Sequence, residues 1–350
     1  VSSYDALSPD TGHHPTEVEA ARLVLTRMGV SPEELVNARD QRKTVPVFAE
    51  YVPRVAEAVS VGTSRAYRSY WNRVVREWGE RRLDEPTPSE IRQLAEHIRG
   101  QVVHRRNTRG GRCAVEHLIS ALRCIYSHAV ADGLLDEADN PALRVRKPRR
   151  LPSTRRGLSD ESMSAINRVA GQTGNDPMLD TLLLRLHTET ACRRGGALAL
   201  TLADLDETQC VVLLREKNDT VRWQPVSPTL ARHLRDHAEQ RGAETSEDAL
   251  LRYRSGKPLT RRRYDHLWHR LGQHLPWVAT QQVSTHWLRH TTLTWAERHF
   301  GYATARAWAG HTDSSHASAT TTYIRADLAD IATALVALTG EQHPLAESRK

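Results

Sequence analysis

Four side chains between positions 286 and 323, His286, Arg289, His311 and Tyr323, are of types that can handle a phosphodiester. The run opens with His286-Trp287-Leu288-Arg289-His290, passes through Gly310-His311 and closes on Tyr323. Leu288, Leu293, Trp295 and Ala296 suggest a helix after Ser284-Thr285; residues 286, 289 and 290 then share one face, because positions three and four apart are helical neighbours. A cation and two imidazoles converge there. Taken alone, the five residues fit the surface of an arginine-rich helix at least as well. A metal pair is a further alternative, since His at i and i+4 is ligand spacing. Against it, Trp287 stands where a zincin helix carries its glutamate and Arg289 would repel a cation.

Upstream lies Thr190-Ala191-Cys192-Arg193-Arg194-Gly195-Gly196-Ala197-Leu198-Ala199-Leu200, followed by Asp204. Residues 209–216 and 220–226 are β-rich and are joined through Lys217-Asn218-Asp219, whose Asn and Asp tolerate turn geometry, so a hairpin with Lys217 at its tip is expected. Lysine occurs only at positions 43, 147, 217, 257 and 350, which makes one at a hairpin tip a pointed observation.

Taken in order, Arg193, Lys217, His286, Arg289, His311 and Tyr323 resemble the active-site set of the tyrosine site-specific recombinases, the phage integrase family. The resemblance covers roughly residues 45 to 340. It implies an enzyme that cleaves and rejoins duplex DNA through a 3′-phosphotyrosine, of a mobile element or, alternatively, a dimer-resolving recombinase. Tyr323 is then the nucleophile and Arg193 and Arg289 hold the phosphate oxygens. His286 and His311 move protons with pKa values near the working pH, and Lys217 protonates the leaving 5′ oxygen. No metal or cofactor is implied. The partners are double-stranded DNA and a homotetramer on paired sites, with room for an accessory DNA-bending protein. Two features depart from the pattern. Gly196 stands where the family usually has an acid three places after the first arginine, with Asp204 a candidate substitute, and the interval from His311 to Tyr323 is a few residues longer than usual. Both leave open a decayed, purely DNA-binding regulator on the same scaffold.

Composition agrees with a polyanion partner. Lys and Arg number 49 against 42 Asp and Glu, a net charge of +7, and the pI is near 9.4. Charged residues make up 26% and the mean hydropathy is −0.57, so a soluble protein is expected, without a membrane span. Residues 1–15 lack the apolar core of a signal peptide, which makes the cytoplasm the expected compartment. Cys113, Cys124, Cys192 and Cys210 show no zinc or redox spacing and read as small buried apolar residues.

The elements that must position these residues can be read along the chain. The fold class expected is mainly α with a small antiparallel β-sheet: an N-terminal helical bundle followed by an α+β catalytic domain. Residues 1–44 form a helical arm, its second helix announced by Ser31-Pro32-Glu33-Glu34. Residues 45–143 form a helical DNA-binding domain. There Tyr67, Tyr70, Trp71, Val74, Val75 and Trp78 make one apolar stripe, and Arg65, Arg68, Arg73 and Arg76 lie on the other side, as a solvated face or as phosphate contacts. Residues 144–156 read as an extended basic linker in which Arg146, Lys147, Arg149 and Arg150 can follow a phosphate backbone. The catalytic domain spans 157–340. Within it Met178, Leu179, Leu182, Leu183 and Leu186 face inward on the helix that delivers Arg193. A last helix carries Leu328, Ile331, Leu335 and Leu338 on one face; self-packing is the plain expectation, and the resemblance implies docking into a neighbouring protomer. Residues 341–350 are a tail.

Overall fold

The computed structural model describes residues 15–32, 44–101, 110–149, 155–216, 220–311 and 327–346. Lys217, Tyr323 and Arg150, together with the helix expected after Ser31-Pro32, lie outside them. The chain divides into two units, Val1–Leu151 and Pro152–Lys350. Both are mainly helical, and the second carries one three-stranded antiparallel sheet.

In the first unit α1 (Pro15–Met28) is largely exposed, with Leu23 at 69% and Met28 at 67%. Four helices build the core: α2 (Phe48–Ala58), α3 (Val61–Trp78), α4 (Pro88–Gln101) and α5 (Arg112–Ala131). Ser60 starts α3 by accepting the Thr63 N–H at 3.2 Å, and Thr87 and Glu90 exchange capping bonds at the start of α4. The α3 stripe resolves into a buried Trp71, Val74 and Trp78 and half-buried flanks at Tyr67, Tyr70 and Val75. Ile91, Leu94, Ala95 and Ile98 of α4 and Leu118, Leu122, Ile125 and Tyr126 of α5 close on it. Buried polar groups are satisfied: Trp71 Nε1 donates to the Ala121 carbonyl at 3.1 Å and the Tyr126 hydroxyl to that of Leu83 at 3.0 Å.

The linker expectation needs correcting at its start. Val145 is 2% exposed, and the Arg123 guanidinium donates to the carbonyls of Ala142 and Val145 at 3.1 and 2.8 Å, so the chain to Val145 belongs to the bundle. A lone apolar residue among cations was enough to hold it there.

In the second unit α6 (Asp160–Gln172) and α7 (Pro177–Thr190) pack together, and α7 is the hub. Asp176 caps α7, and Asp180, fully buried on it, pairs with Arg263 at 2.7 Å and with Arg270. Met178 is 76% exposed, contrary to the inward placement expected; it sits in the first turn, beyond the edge of the core that Leu179, Leu182, Leu183 and Leu186 fill. After α7 come α8 (Arg194–Ala199), β1 (Leu205–Asp206), β2 (Val211–Glu216) and β3 (Thr220–Pro225). The β2–β3 register pairs Val211 with Pro225 and Glu216 with Thr220. Then follow α9 (Pro228–Glu239), α10 (Arg261–His274), α11 (Pro276–Gln281) and α12 (Thr285–Trp308), whose backbone breaks at Gly301, where φ is +84°.

The last helix, α13 (Leu328–Thr339), packs against α12 and β3 of its own unit, with Ile331, Ala334 and Leu335 set on Ala191, Ala296 and Trp308. In the single chain this helix packs on its own unit. Nor are residues 341–346 a free tail. Glu341 accepts from Arg185 at 2.6 Å and from the Thr229 N–H at 3.0 Å, and His343 is buried against the Cys210 carbonyl at 3.0 Å. Cys192 and Cys210 are buried as expected, whereas Cys113 and Cys124 are only half-buried. No described helix is long and apolar enough to cross a membrane.

Two buried imidazoles make this fold acid-sensitive. Burial pulls His187 and His237 down to about 4. Unfolded histidine takes up its proton near 6.5, so the native state binds fewer protons between these values, and stability falls as pH drops from about 6.5 to about 4. Thermal unfolding of the intact protein should show Tm declining through that window. His187→Gln, which retains a polar group opposite the Tyr264 hydroxyl, should flatten the decline; a Tm independent of pH between 6.5 and 4.5 would contradict it.

Candidate active site

At the end of α7 the chain reverses through Ala191, which holds a left-handed φ of +49°. This turn places Arg193 at the start of α8 in extended conformation. The Arg193 N–H donates to Glu216 Oε1, and its guanidinium donates to Glu216 Oε2 at 2.8 Å. The Glu216 side chain is fully buried, while that of Arg193 is 38% exposed. One end of the arginine is therefore anchored and the rest is presented to solvent.

Arg289 enters from the first turns of α12 and is 4% exposed. Its guanidinium donates to two backbone carbonyls, that of Ala191 and, at 2.6 Å, that of Ala309. Ala191 lies two residues before Arg193, and Ala309 two before His311. One planar fork thus ties together the strands of chain that carry the other two groups. α12 is itself fixed to α7: the Trp308 indole donates to the Glu189 carbonyl at 2.8 Å and the Thr292 hydroxyl to that of Thr188 at 2.6 Å.

His311 follows α12 through Gly310, whose φ is +67°. A Cβ there would lie 2.3 Å from Arg222 Nε, so both conformation and space call for glycine. His311 is exposed. His286 is also exposed, its ring edge-on to His290 with centroids 4.9 Å apart. A groove of about 600 Å³ is lined by Arg193, Arg194, Arg261, Trp268 and His286 among others. Arg194 turns away from the cluster to pair with Asp265 at 3.3 Å.

The electrostatics are those of a crowded cationic pocket. Burial, then repulsion from Arg193, brings Arg289 down to about 10. Burial lowers Arg222 as well. His286 falls to about 4 through partial desolvation of its ring first and then the field of Arg155, His290, Arg289 and Arg193. His311 is lowered by burial, Arg289 and Arg193. For His286 this differs from the expectation of a pKa near the working pH, and for His311 the shift is in the same direction. In the free protein both are neutral at pH 7, because charging either would add a cation to a site that already holds several.

Arg193, Arg289 and His311 are brought together, with His286 on the rim of the same groove. β2 ends at Glu216 and β3 begins at Thr220, so the hairpin is present around the undescribed residues 217–219. Arg65, Arg68 and Arg76 are exposed on α3 of the other unit, without an ion-pair partner among the described residues; Arg73 is half-buried and reaches Gln101 at 3.5 Å. Arg146, Lys147 and Arg149 are exposed.

Two residues escaped the sequence reading. Glu216 and Arg222 face the cluster from adjacent strands, with Arg222 Nη2 3.9 Å from Glu216 Oε2. Their signal was there: β3 turns Val221 and Trp223 to solvent and Arg222 and Gln224 inward, and Glu216 shares the inward face of β2 with Val212 and Leu214. Asp204, the candidate substitute acid, is committed elsewhere, to Thr201 at 2.9 Å and to Arg215.

Residues 157–328 match the model of the phage integrase family. A tyrosine recombinase XerC of Chlamydia trachomatis is 27% identical over 225 residues, 62% of this chain and 69% of that relative. Among solved structures, a lambda integrase tetramer bound to a Holliday junction is similar with a TM-score of 0.59 at 14% identity, covering 87% of this chain and 88% of the other. The Tn1549 transposon integrase in complex with circular intermediate DNA gives 0.59 at 14% identity, covering 79% and 97%. The family match, the relatives and the fold together support a tyrosine recombinase, a DNA strand-transferring enzyme. Residues 157–328 are a phage integrase family domain.

Imidazole nitrogen spectra of the free protein check the electrostatics. The signal that disappears in His286→Gln should titrate near 4 and the one that disappears in His311→Gln below 6.5. Midpoints at or above 6.5 would show that the field of neighbouring arginines is not felt.

Proposed function

We propose that this protein is a site-specific recombinase of a mobile element that cleaves and rejoins duplex DNA through a 3′-phosphotyrosine. The observation that carries the reading is the Arg289 fork, which holds the backbone on both sides of the site and so gathers Arg193 and His311 where one phosphate can meet them all. Arg289 uses one N–H of each terminal nitrogen on a carbonyl, which leaves further donors for a phosphate oxygen. Arg193 is held at one Nη by Glu216, and its other guanidinium nitrogens have no hydrogen-bond partner among the described residues.

Tyr323 attacks the scissile phosphorus; the bond to the 5′ oxygen breaks, and Lys217 donates the proton that oxygen needs. A phenol of pKa about 10 must lose its proton, and the neutral His286 and His311 are in the state that accepts one. The two guanidiniums stabilise charge gathering on the non-bridging oxygens, where losing one preorganised donor typically costs on the order of 3 kcal/mol. A 5′ hydroxyl of the partner strand then attacks the phosphotyrosine, reversing the first step. No metal or cofactor enters this scheme. Assembly as a tetramer on paired sites, and the mobile-element setting, are supported by the likeness to the lambda and Tn1549 integrases.

The test uses a nicked duplex selected from a randomised pool by binding to the wild-type protein. Wild type should accumulate a covalent adduct through a 3′ phosphate, in chelator as well as without it. Tyr323→Phe should bind the same DNA and form none; Tyr302→Phe, which alters the exposed phenol that accepts from Arg306, should still form it. Adduct in Tyr323→Phe would move the nucleophile elsewhere. No adduct in wild type would make the protein a DNA-binding regulator on this scaffold.

Binding should also depend steeply on salt. Replacing Arg146, Lys147, Arg149 and Arg150 by Ala should reduce the slope of log affinity against log salt by about 0.9 for each phosphate that these cations neutralise. An unchanged slope would take this segment off the DNA.

A further inference from the structure

Glu216 is a fully buried carboxylate in a pocket whose other charged members, Arg193, Arg222 and Arg289, are all cations. A buried charge survives only where it is paired, and this one is paired at both oxygens: Oε1 accepts the Arg193 N–H, and Oε2 accepts from the Arg193 guanidinium at 2.8 Å and lies 3.9 Å from Arg222. The space it occupies is a gap left by Gly196. A Cβ on residue 196 would stand 3.0 Å from Glu216 Cγ and 3.3 Å from its Oε1. A side chain on α8 at that position would press on the β2 glutamate and make it give way by a few tenths of an ångström or more.

We propose that Glu216 is the positioning residue of this site, supplying from the end of β2 the acid that holds Arg193 in its phosphate-facing pose, and that Gly196 is required to admit it. The proposal rests on the recombinase reading above and names a residue outside the catalytic set given there. Glu216 offsets one of three mutually repelling guanidiniums, so Arg193 can stand beside Arg289 before any phosphate arrives. It also pins the last residue of β2, the one that precedes Lys217. The absence of an acid at position 196 is thus a relocation of the acid between two packed elements and leaves its function in place.

The decisive experiment moves the acid back. Four variants are compared on the selected nicked duplex, with dissociation constant and single-turnover adduct rate measured separately: Glu216→Ala, Glu216→Gln, Gly196→Asp, and Gly196→Asp with Glu216→Ala. Glu216→Ala should slow adduct formation about a hundredfold, the cost of losing a preorganised donor, while affinity changes less than about threefold. Gly196→Asp alone should also be slow, since its Cβ crowds Glu216 and adds a second carboxylate. The double variant, with the gap reopened, should be at least tenfold faster than either single variant. Should Glu216→Ala fail to fold, Glu216→Gln keeps the volume and should show the same slowing. A rate within threefold of wild type in Glu216→Gln, or a double variant no faster than Glu216→Ala, overturns the proposal. The slowly exchanging guanidinium signal of Arg193 in DNA-free protein gives a readout that needs no chemistry: present in wild type, absent in Glu216→Ala and regained in the double variant. If wild type forms no adduct, the recombinase reading fails, and this signal alone decides whether Glu216 positions Arg193.

Discussion

The site depends on one guanidinium, that of Arg289, which is buried and bonded to the carbonyls of Ala191 and Ala309. Neither carbonyl could be satisfied within its own helix, because each lies at a helix end where the chain leaves regular structure. A cation with a planar fork solves both problems together and fixes the separation of the two segments. It does so at a cost, since a buried guanidinium beside Arg193 and Arg222 is repelled as well as desolvated, and its lowered pKa records that cost. Other groups in the pocket answer this charge: Glu216 offsets it, its field adds to the desolvation that keeps His286 and His311 neutral, and Gly310 leaves room for the third arginine.

Much of this was legible in the sequence because helix periodicity and capping are local. The stripes of α3, α4 and α5, the Thr87-Pro88-Ser89-Glu90 cap and the β2–β3 hairpin follow from spacing and turn chemistry alone, and the structure has them all. The order of Arg193, His286, Arg289 and His311 was legible through resemblance. What escaped was set by contacts between distant parts of the chain. No periodicity says that Glu341 will tie to Arg185, that Val145 will be drawn under Arg123, or that Met178 will overhang the core. Glu216 and Arg222 were missed for a different reason: in a strand, a polar residue facing inward looks like ordinary alternation until the opposite face is known to be the exposed one.

The pKa of His286 differs from its sequence expectation for a related reason. Sequence gives a side chain its ordinary pKa, and only the fold says how many cations surround it. A neutral pair of imidazoles in the free site suits a pocket whose positive charge comes from arginines, and the arrival of a phosphate is the event that lets a proton be held there.

The fit between Gly310 and Arg222 has a consequence for how such chains can diverge. With Arg222 Nε 2.3 Å from where a Cβ at 310 would stand, position 310 cannot take a side chain while Arg222 stays in place. A lineage that acquired any side chain at 310 would first need a shorter residue at 222, and would then lose one of the cations that shape the pocket. Drift in this enzyme is therefore expected to pass around that pair and to spend itself on the solvent-facing side of β3, where Val221 and Trp223 stand free.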